Sequence, residues 1–152
     1  MKNKFIDAYM KTAKIFAELS TARRLQVGAI IVKDDRVISI GFNGTPSGWD
    51  NNCELEEYDV ITKQYSLKTK PEVLHAERNA LDKLAKQGGI GADGSVMFCT
   101  HAPCLECAKS IYGAGIKELY YETSYRNDTG VAFLEKSGVK IFQTNSQKVL
   151  EK

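Results

Sequence analysis

The sequence predicts an α/β fold, a three-layer α/β/α sandwich around a mixed five-stranded sheet. Apolar runs of strand length alternate with segments of helical periodicity over most of the chain. Two of the runs are separated only by a turn, which is typical of a β-hairpin. The later runs are each separated by a helix, which indicates parallel neighbours joined by right-handed crossovers. We expect one domain over 1–152, because 152 residues suit a single core.

The first half begins with an amphipathic helix, predicted over 4–19 from apolar residues at helical spacing. A polar connector then leads to two strands, 27–32 and 37–42, with a turn at Asp34-Asp35 between them. Both strands carry few polar residues. We therefore expect this hairpin to lie in a central part of the sheet, covered on both faces.

A long insertion over about 45–72 follows the second strand and shows no clear periodicity. It carries Cys53 and an acidic cluster over 54–57. A loop of this length in a small domain is usually functional or flexible, and its residues leave a lid, a ligand-binding insertion and an interface as open alternatives. On local grounds alone, the Asn43-Gly44 pair just before it is typical of an ordinary turn.

The second half alternates helices and strands. The predicted helices are 73–87, 104–112 and 128–136, and the predicted strands are 96–99, 118–121 and 139–142. Glycines at 88, 89, 113 and 138 mark the ends of the three helices. The tail over 144–152 is polar.

Composition argues against several classes of function. The formal net charge is only +2 and no basic block stands out, so duplex nucleic-acid binding gets no support. No apolar run approaches the roughly 18 residues of a membrane span, and the charges scattered through the N-terminus do not fit a signal peptide. We therefore expect a cytoplasmic chain with reduced thiols and with no nucleic-acid or membrane partner.

Two short motifs form a candidate metal centre: His75 with Glu77, and Cys104 with Cys107. The cysteines lie one helical turn apart, at the start of a predicted helix that Pro103 opens. The positive end of a helix dipole favours thiolate over thiol, and thiolate is the form that binds zinc.

The spacing of His75 and Glu77 predicts where that centre lies. Residues two apart do not share a helix flank, so they converge only on a point beyond the helix N-terminus. We therefore place the site where the N-terminal ends of two helices meet. Three ligands leave the fourth position of a zinc ion to water, as in catalytic sites. Glu77 could then move a proton from that water.

Other interpretations of these residues stay open. The Cys-x-x-Cys pair could be a thiol–disulfide motif. His101 or Cys99 could supply a fourth ligand and make the zinc purely structural. Cys53 could bind a second metal, although no ligand cluster surrounds it in the sequence and a free thiol is favoured.

The pattern His-x-Glu followed by Pro-Cys-x-x-Cys is the established signature of zinc nucleobase deaminases. The predicted α-β-β-α-β-α-β-α-β order independently resembles the cytidine deaminase fold. Within that superfamily the chain resembles the deoxycytidylate (dCMP) deaminases, from about Phe5 to Phe142. The segments that carry the resemblance are Val27–Val32 with Arg24 before it, Gly41–Gly48 and His75–Ala80.

This resemblance implies a role for each group of site residues. One zinc per chain would be bound by His75, Cys104 and Cys107, with Glu77 as the proton shuttle. The sugar 3′-hydroxyl would contact Asn43, and the 5′-phosphate would contact Arg24, Ser20 or Thr21, and Tyr125. Backbone groups that would bind the pyrimidine belong to Ala76, Thr100 and Ala102. On its own, Arg24 is typical of a solvated surface charge.

The implied reaction is the hydrolysis of dCMP to dUMP and ammonia, in which an activated water attacks C4 and Glu77 passes its proton to N3 and to the leaving amine. The resemblance also implies a homohexamer that dCTP activates and dTTP inhibits, with Mg²⁺ accompanying the triphosphate. The effector site would involve the insertion. Its residues would include Asn43 and Gly44, just before the insertion, and Thr45 and Trp49, in its first part.

The resemblance has one departure, because Arg78 stands where the family usually has Leu or Met. Two alternatives are kept. One is a deaminase of another nucleobase, such as tRNA adenosine, cytidine or guanine, against which Arg24 and Asn43 argue. The other is a non-catalytic binding module stapled by zinc, against which the three-ligand count and Glu77 argue.

Overall fold

The computed structural model describes residues 1–144, so the end of the predicted polar tail, from 145 onward, lies outside the described residues. The helices are α1 (Asn3–Ala17), α2 (Ala76–Gln87), α3 (Leu105–Gly113) and α4 (Thr129–Lys136). The strands are β1 (Gly28–Lys33), β2 (Arg36–Phe42), β3 (Glu54–Asp59), β4 (Gln64–Thr69), β5 (Val96–His101), β6 (Glu118–Thr123) and β7 (Lys140–Gln143). Along residues 1–144, no helix combines the length and apolar character needed to cross a bilayer.

Five strands form one mixed sheet in the order β2-β1-β5-β6-β7, which confirms the predicted sheet. Strand β1 is antiparallel to both β2 and β5, whereas β5, β6 and β7 run parallel. Asp34 and Asp35 turn the first hairpin with φ values of 51° and 59°, which is the backbone twist that suits a two-residue hairpin turn.

The expectation that both strands of this hairpin are central is wrong for β2, which lies at the edge of the sheet. Its apolar residues have another cause, because the second half of β2 packs under α2 while its first residues are exposed. Gly41 allows this close packing, since a Cβ there would collide with the backbone of Ala76 and Ala80.

Side chains alternate across β1 and divide the core into two layers. Ile30 and Val32 pack with Met10 and Ala13 of α1 on one face of the sheet. Ala29 and Ile31 face the opposite way and pack with residues of α2, α3 and α4. The three-layer α/β/α sandwich is therefore confirmed, with one helix on one face and three on the other.

The insertion over 45–72 contains a hairpin that its sequence did not predict. Within residues 1–144, strands β3 and β4 pair only with each other, as a separate two-stranded sheet. Most of their side chains are exposed, so no buried face imposes an apolar alternation that could reveal them. The Tyr58 and Tyr65 rings face each other across the strands with centroids 4.8 Å apart.

Helices α2 and α3 begin later than predicted, and both shifts affect the candidate site. Helix α2 begins at Ala76, which leaves His75 as its N-cap residue. Helix α3 begins at Leu105 with Cys104 as its N-cap, so Pro103 precedes the helix and is not its first residue. Both motifs therefore straddle a helix start.

Candidate active site

Three potential metal ligands meet where α2 and α3 begin. His75 and Cys104 are the two N-cap residues, and Cys107 lies one turn into α3. The His75 Nδ1 atom lies 3.3 Å from the Cys107 sulfur and 3.5 Å from the Cys104 sulfur. All three ligand atoms lie within 4.8 Å of one another, at the junction of helix N-termini that the sequence predicts.

These separations suit a tetrahedral zinc ion. Zn–N bonds of about 2.0 Å and Zn–S bonds of about 2.3 Å place a nitrogen roughly 3.6 Å from a sulfur. One imidazole and two thiolates are also a ligand set that zinc favours. Across residues 1–144 this is the one cluster of three potential ligands, and it includes neither His101, Cys99 nor Cys53.

The two thiols differ in how readily they lose a proton. A hydrogen bond from Cys107 lowers the pKa of Cys104 to about 3. The same hydrogen bond, together with burial, raises the pKa of Cys107 above its ordinary value. The pKa of His75 is raised, chiefly by its hydrogen bond with Cys104. The lowered pKa favours the thiolate form of Cys104 at the start of a helix, where negative charge is stabilised.

Glu77 lies in the first turn of α2 with only 4% of its surface exposed, and it lines a cavity next to the cluster. Burial is the main cause of a raised pKa for its carboxyl group. A carboxyl with a raised pKa holds a proton closer to neutral pH, which suits a group that accepts a proton and then donates it.

The cavity has a volume of about 470 Å³, which is within the usual range for small-molecule sites. Its lining includes His75, Cys104 and Glu77. The other predicted site residues that line it are Arg24, Asn43, Ala76, Ala102 and Tyr125. The structure thus gathers residues from five separate parts of the chain around one space.

Three of the residues predicted to bind the substrate, Ser20, Thr21 and Thr100, do not line the cavity. The Ser20 hydroxyl donates to the Asn43 carbonyl over 2.7 Å, and the Thr21 hydroxyl donates to the Asn51 carbonyl over 2.7 Å. The Thr100 hydroxyl is buried and accepts a hydrogen bond from the Gly28 amide at 3.1 Å. Each of the three hydroxyls contacts one residue of the cavity lining, which is Asn43, Cys53 or His101 respectively.

The Asn43 side chain has two partners in the neighbouring backbone. Its oxygen accepts from the Val27 amide at 2.9 Å, and its nitrogen donates to the Leu25 carbonyl at 2.8 Å. A primary amide has a second N–H and a second lone pair. Asn43 can therefore hold the wall and still contact a ligand in the cavity.

The four residues predicted for an effector site are spread over the start of the insertion. Asn43 lines the cavity, and Gly44 pairs with Leu74 in an isolated β-bridge. Thr45 is partly buried, whereas the Trp49 side chain is 58% exposed. The bridge ties the start of the insertion to the residue just before His75.

Several cavity residues were not predicted to contact a substrate, among them His101, which the sequence suggested only as a possible fourth zinc ligand. His101 ends β5, and its Nδ1 lies 2.9 Å from the Thr100 hydroxyl. Burial lowers the pKa of His101, which favours a neutral ring. Arg126 follows Tyr125 after the carboxyl end of β6, and such strand ends in parallel sheets commonly supply ligand contacts.

Glu54 and Thr69 also line the cavity. They face each other across the base of the β3–β4 hairpin. Because this hairpin was not predicted, nothing in the sequence pointed to their pairing or to their place in the wall.

Comparison with known proteins begins with a sequence model of the family described as "Cytidine and deoxycytidylate deaminase zinc-binding region", which matches residues 3–123. ComE operon protein 2 of Bacillus subtilis is 35% identical over 143 residues, which are 93% of this chain and 72% of that protein. Deoxycytidylate deaminase of Homo sapiens is 35% identical over 132 residues, covering 83% of this chain and 68% of that protein.

A crystal structure of dCMP deaminase from the cyanophage S-TIM5, in complex with dCMP and dUMP, has a similar fold. The TM-score is 0.83 at 43% sequence identity, and the match covers 95% of this chain and 99% of that one. The similarity therefore extends over both the metal-ligand motifs and the insertion.

Proposed function

The chain belongs to the cytidine and deoxycytidylate deaminase family, and we propose that it hydrolyses dCMP to dUMP and ammonia. One observation carries the proposal: three zinc-type ligands and a buried carboxyl group meet beside a nucleotide-sized cavity. The dCMP and dUMP bound in the similar phage enzyme support the choice of nucleotide.

In this proposal zinc on His75, Cys104 and Cys107 would activate a water for attack on C4 of the base. Glu77 takes a proton from that water, donates it to N3 and later protonates the departing amine. Burial raises the pKa of the Glu77 carboxyl group, which suits a group that first accepts a proton and then donates it. Water supplies the C4 oxygen of dUMP, the proton on N3 and one hydrogen of ammonia. The other two hydrogens of ammonia are those of the amine, so atoms and charge balance.

Two backbone groups are suited to hold the pyrimidine. The amide of Ala76 begins α2 and has no partner within the helix. The amide of Ala102 already donates to the Thr123 carbonyl. The carbonyl of Ala102 is therefore the group that we assign as an acceptor for the base. A donor on one side and an acceptor on the other match the edge of a cytosine.

We assign the sugar and phosphate to the opposite wall. Asn43 has one free donor and one free acceptor position for the 3′-hydroxyl. Arg24 donates from Nη1 to the Thr69 hydroxyl at 3.1 Å, and the other donors of its guanidinium make no hydrogen bond to protein among residues 1–144. A guanidinium binds phosphate through paired donors, and Tyr125 can add a hydroxyl. Ser20 and Thr21 would act by supporting this wall.

Regulation belongs to the same proposal. We expect a homohexamer that dCTP activates and dTTP inhibits with Mg²⁺, with the insertion as part of the effector site. The bridge between Gly44 and Leu74 supports this, because it connects the insertion to the segment that carries His75. We expect the rate to depend sigmoidally on dCMP concentration and to become hyperbolic when dCTP is added. If neither dCTP nor dTTP changes the kinetics, the proposed regulation is wrong. The cytoplasmic location and the single domain over 1–152 also stay predictions.

A substrate panel tests the proposed activity directly. The zinc-loaded chain is offered dCMP, CMP, dCTP, deoxycytidine and guanine, and ammonia release is measured for each. We expect dCMP to give the highest kcat/KM. Preference for guanine or for the nucleoside would instead favour a deaminase of another base, and no release from any of them would favour a binding module.

A further inference from the structure

The base of the β3–β4 hairpin contacts Arg24 at two points. We propose that Glu54 and Thr69 form a positioning element that fixes the Arg24 guanidinium in the cavity, and that nucleotide affinity therefore depends on the hairpin. This inference rests on the proposed function, in which Arg24 binds the 5′-phosphate. It gives the insertion a role in substrate binding that does not require an effector.

Glu54 holds the main chain. Its side chain is 2% exposed, and its Oε1 accepts from the amides of Arg23 at 2.8 Å and Arg24 at 3.1 Å. A carboxylate that accepts two successive backbone amides makes charge-assisted hydrogen bonds, which are shorter and stronger than neutral ones. The backbone at Arg24 is thereby fixed to the hairpin.

Thr69 holds the side chain. It is the cross-strand partner of Glu54, and its hydroxyl accepts from Arg24 Nη1 at 3.1 Å. Two facing residues of one hairpin thus hold both ends of the arginine. Glu54 and Thr69 also line the cavity, so the positioned guanidinium lies at its wall.

The segment over 20–26 needs this support because it contains no helix or strand of its own. Further bonds attach it to the insertion: the Thr21 hydroxyl donates to the Asn51 carbonyl, and Arg23 donates to Glu56 at 3.0 Å and to Asn52 at 3.2 Å. Without the insertion, a long flexible arginine side chain would sample many positions and lose entropy on binding.

A role in stability alone does not account for Glu54. Its second oxygen, Oε2, is buried, makes no hydrogen bond within residues 1–144 and forms an ion pair with Arg23 Nε at 3.5 Å. Replacing a buried ion pair by well-packed apolar residues is often neutral or stabilising, so such a pair is weak evidence of a purely structural role. Its presence is explained by what the other oxygen holds in place.

The test separates binding of the phosphate from binding of the base and sugar. Calorimetry on the zinc-loaded chain gives Kd for dUMP and for deoxyuridine, which differ only in the phosphate. For Glu54→Ala we expect Kd for dUMP to rise about tenfold, while Kd for deoxyuridine stays within about twofold. Thr69→Val should weaken dUMP by about threefold, since one neutral acceptor is lost.

Two variants serve as controls. Glu54→Gln keeps an acceptor for the two amides and should restore most of the dUMP affinity. Glu57→Ala removes an exposed carboxylate from the opposite face of the same strand and should leave both Kd values unchanged. A circular-dichroism melt of each variant records any loss of stability.

Equal weakening of dUMP and deoxyuridine in Glu54→Ala, or a lower Tm with both affinities intact, would overturn the positioning role. The positioning role would also be overturned if the unaltered chain bound dUMP and deoxyuridine equally, because Arg24 would then not bind the phosphate. The proposed function fails separately, if the unaltered chain releases no ammonia from dCMP while it still prefers dUMP over deoxyuridine.

Discussion

The metal cluster and the wall around Arg24 border one cavity but are held in different ways. His75 and Cys104 are N-cap residues of helices whose buried faces pack in the main core. Arg24 lies in a segment without secondary structure and is held by hydrogen bonds to an exposed hairpin. The first arrangement fixes atoms by close packing and the second by a few polar contacts. Changes to the cluster should therefore abolish chemistry, whereas changes to the wall should weaken binding.

The largest effect should come from Cys107→Ser, which removes a thiolate ligand. We expect loss of bound zinc and loss of ammonia release to background, because two ligands do not hold a catalytic zinc. Metal analysis of the purified chain and an ammonia assay measure both. Cys99→Ala is the control, since Cys99 is equally buried but outside the cluster, and it should retain one zinc. Full zinc and activity in Cys107→Ser would contradict the proposed ligand set.

Glu77→Gln should have the next largest effect, on rate alone. The amide keeps the shape of the side chain but cannot carry the proton, so we expect kcat to fall by about 10²–10⁴-fold with zinc retained. Glu106→Gln is a matched control, because Glu106 lies in the first turn of α3 as Glu77 does in α2, but is exposed. Loss of zinc in Glu77→Gln would assign Glu77 a structural role, and an unchanged rate would remove it from the proton path.

On the other side of the cavity, Arg24→Gln should alter binding and spare the chemistry of the base. A hydrogen bond to a charged group contributes about 1.5–3 kcal/mol, so we expect KM for dCMP to rise about 10- to 100-fold and KM for deoxycytidine to stay nearly constant. The control is Arg36→Gln, at the far end of the first hairpin. Equal changes for nucleotide and nucleoside would place the phosphate elsewhere.

The same contrast explains what could be predicted from sequence. The helices that carry the metal ligands and the strands of the main sheet follow from local patterns, since buried faces impose periodicity. The predicted helix starts at 73 and 104 are too early, because the N-cap residues His75 and Cys104 make no side-chain cap hydrogen bond of the kind that a capping motif signals. The edge position of β2 could not be predicted in this way, because packing under α2 makes an edge strand as apolar as a central one.

The wall around Arg24 gives no such local signal. Its bonds connect residues some 30 to 45 positions apart, such as Arg24 with Glu54 and with Thr69. They depend on the register of a hairpin whose exposed strands carry no apolar alternation. Resemblance to a known family could point to Arg24, but only the three-dimensional arrangement shows what holds it.

The smallest effect should come from a substitution at the tip of the β3–β4 hairpin. It tests whether only the base of the hairpin affects nucleotide binding. Ile61 is 90% exposed, between the two strands and away from the cavity-lining pair Glu54 and Thr69. Surface substitutions away from specific contacts usually change stability by about 0.5 kcal/mol or less. Ile61→Ser should therefore leave Kd for dUMP and KM for dCMP within about twofold of the unaltered chain.

Size-exclusion chromatography with light scattering should accompany these assays of Ile61→Ser. If subunit mass and nucleotide affinity are both unchanged, the hairpin acts through its base, as the contacts to Arg24 indicate. If the variant loses both subunit association and nucleotide affinity, the tip contributes to the site through a neighbouring subunit. Contacts between subunits would then help to hold the wall around Arg24, in addition to hydrogen bonds within the chain. The metal cluster, in contrast, would still be held by packing within one chain.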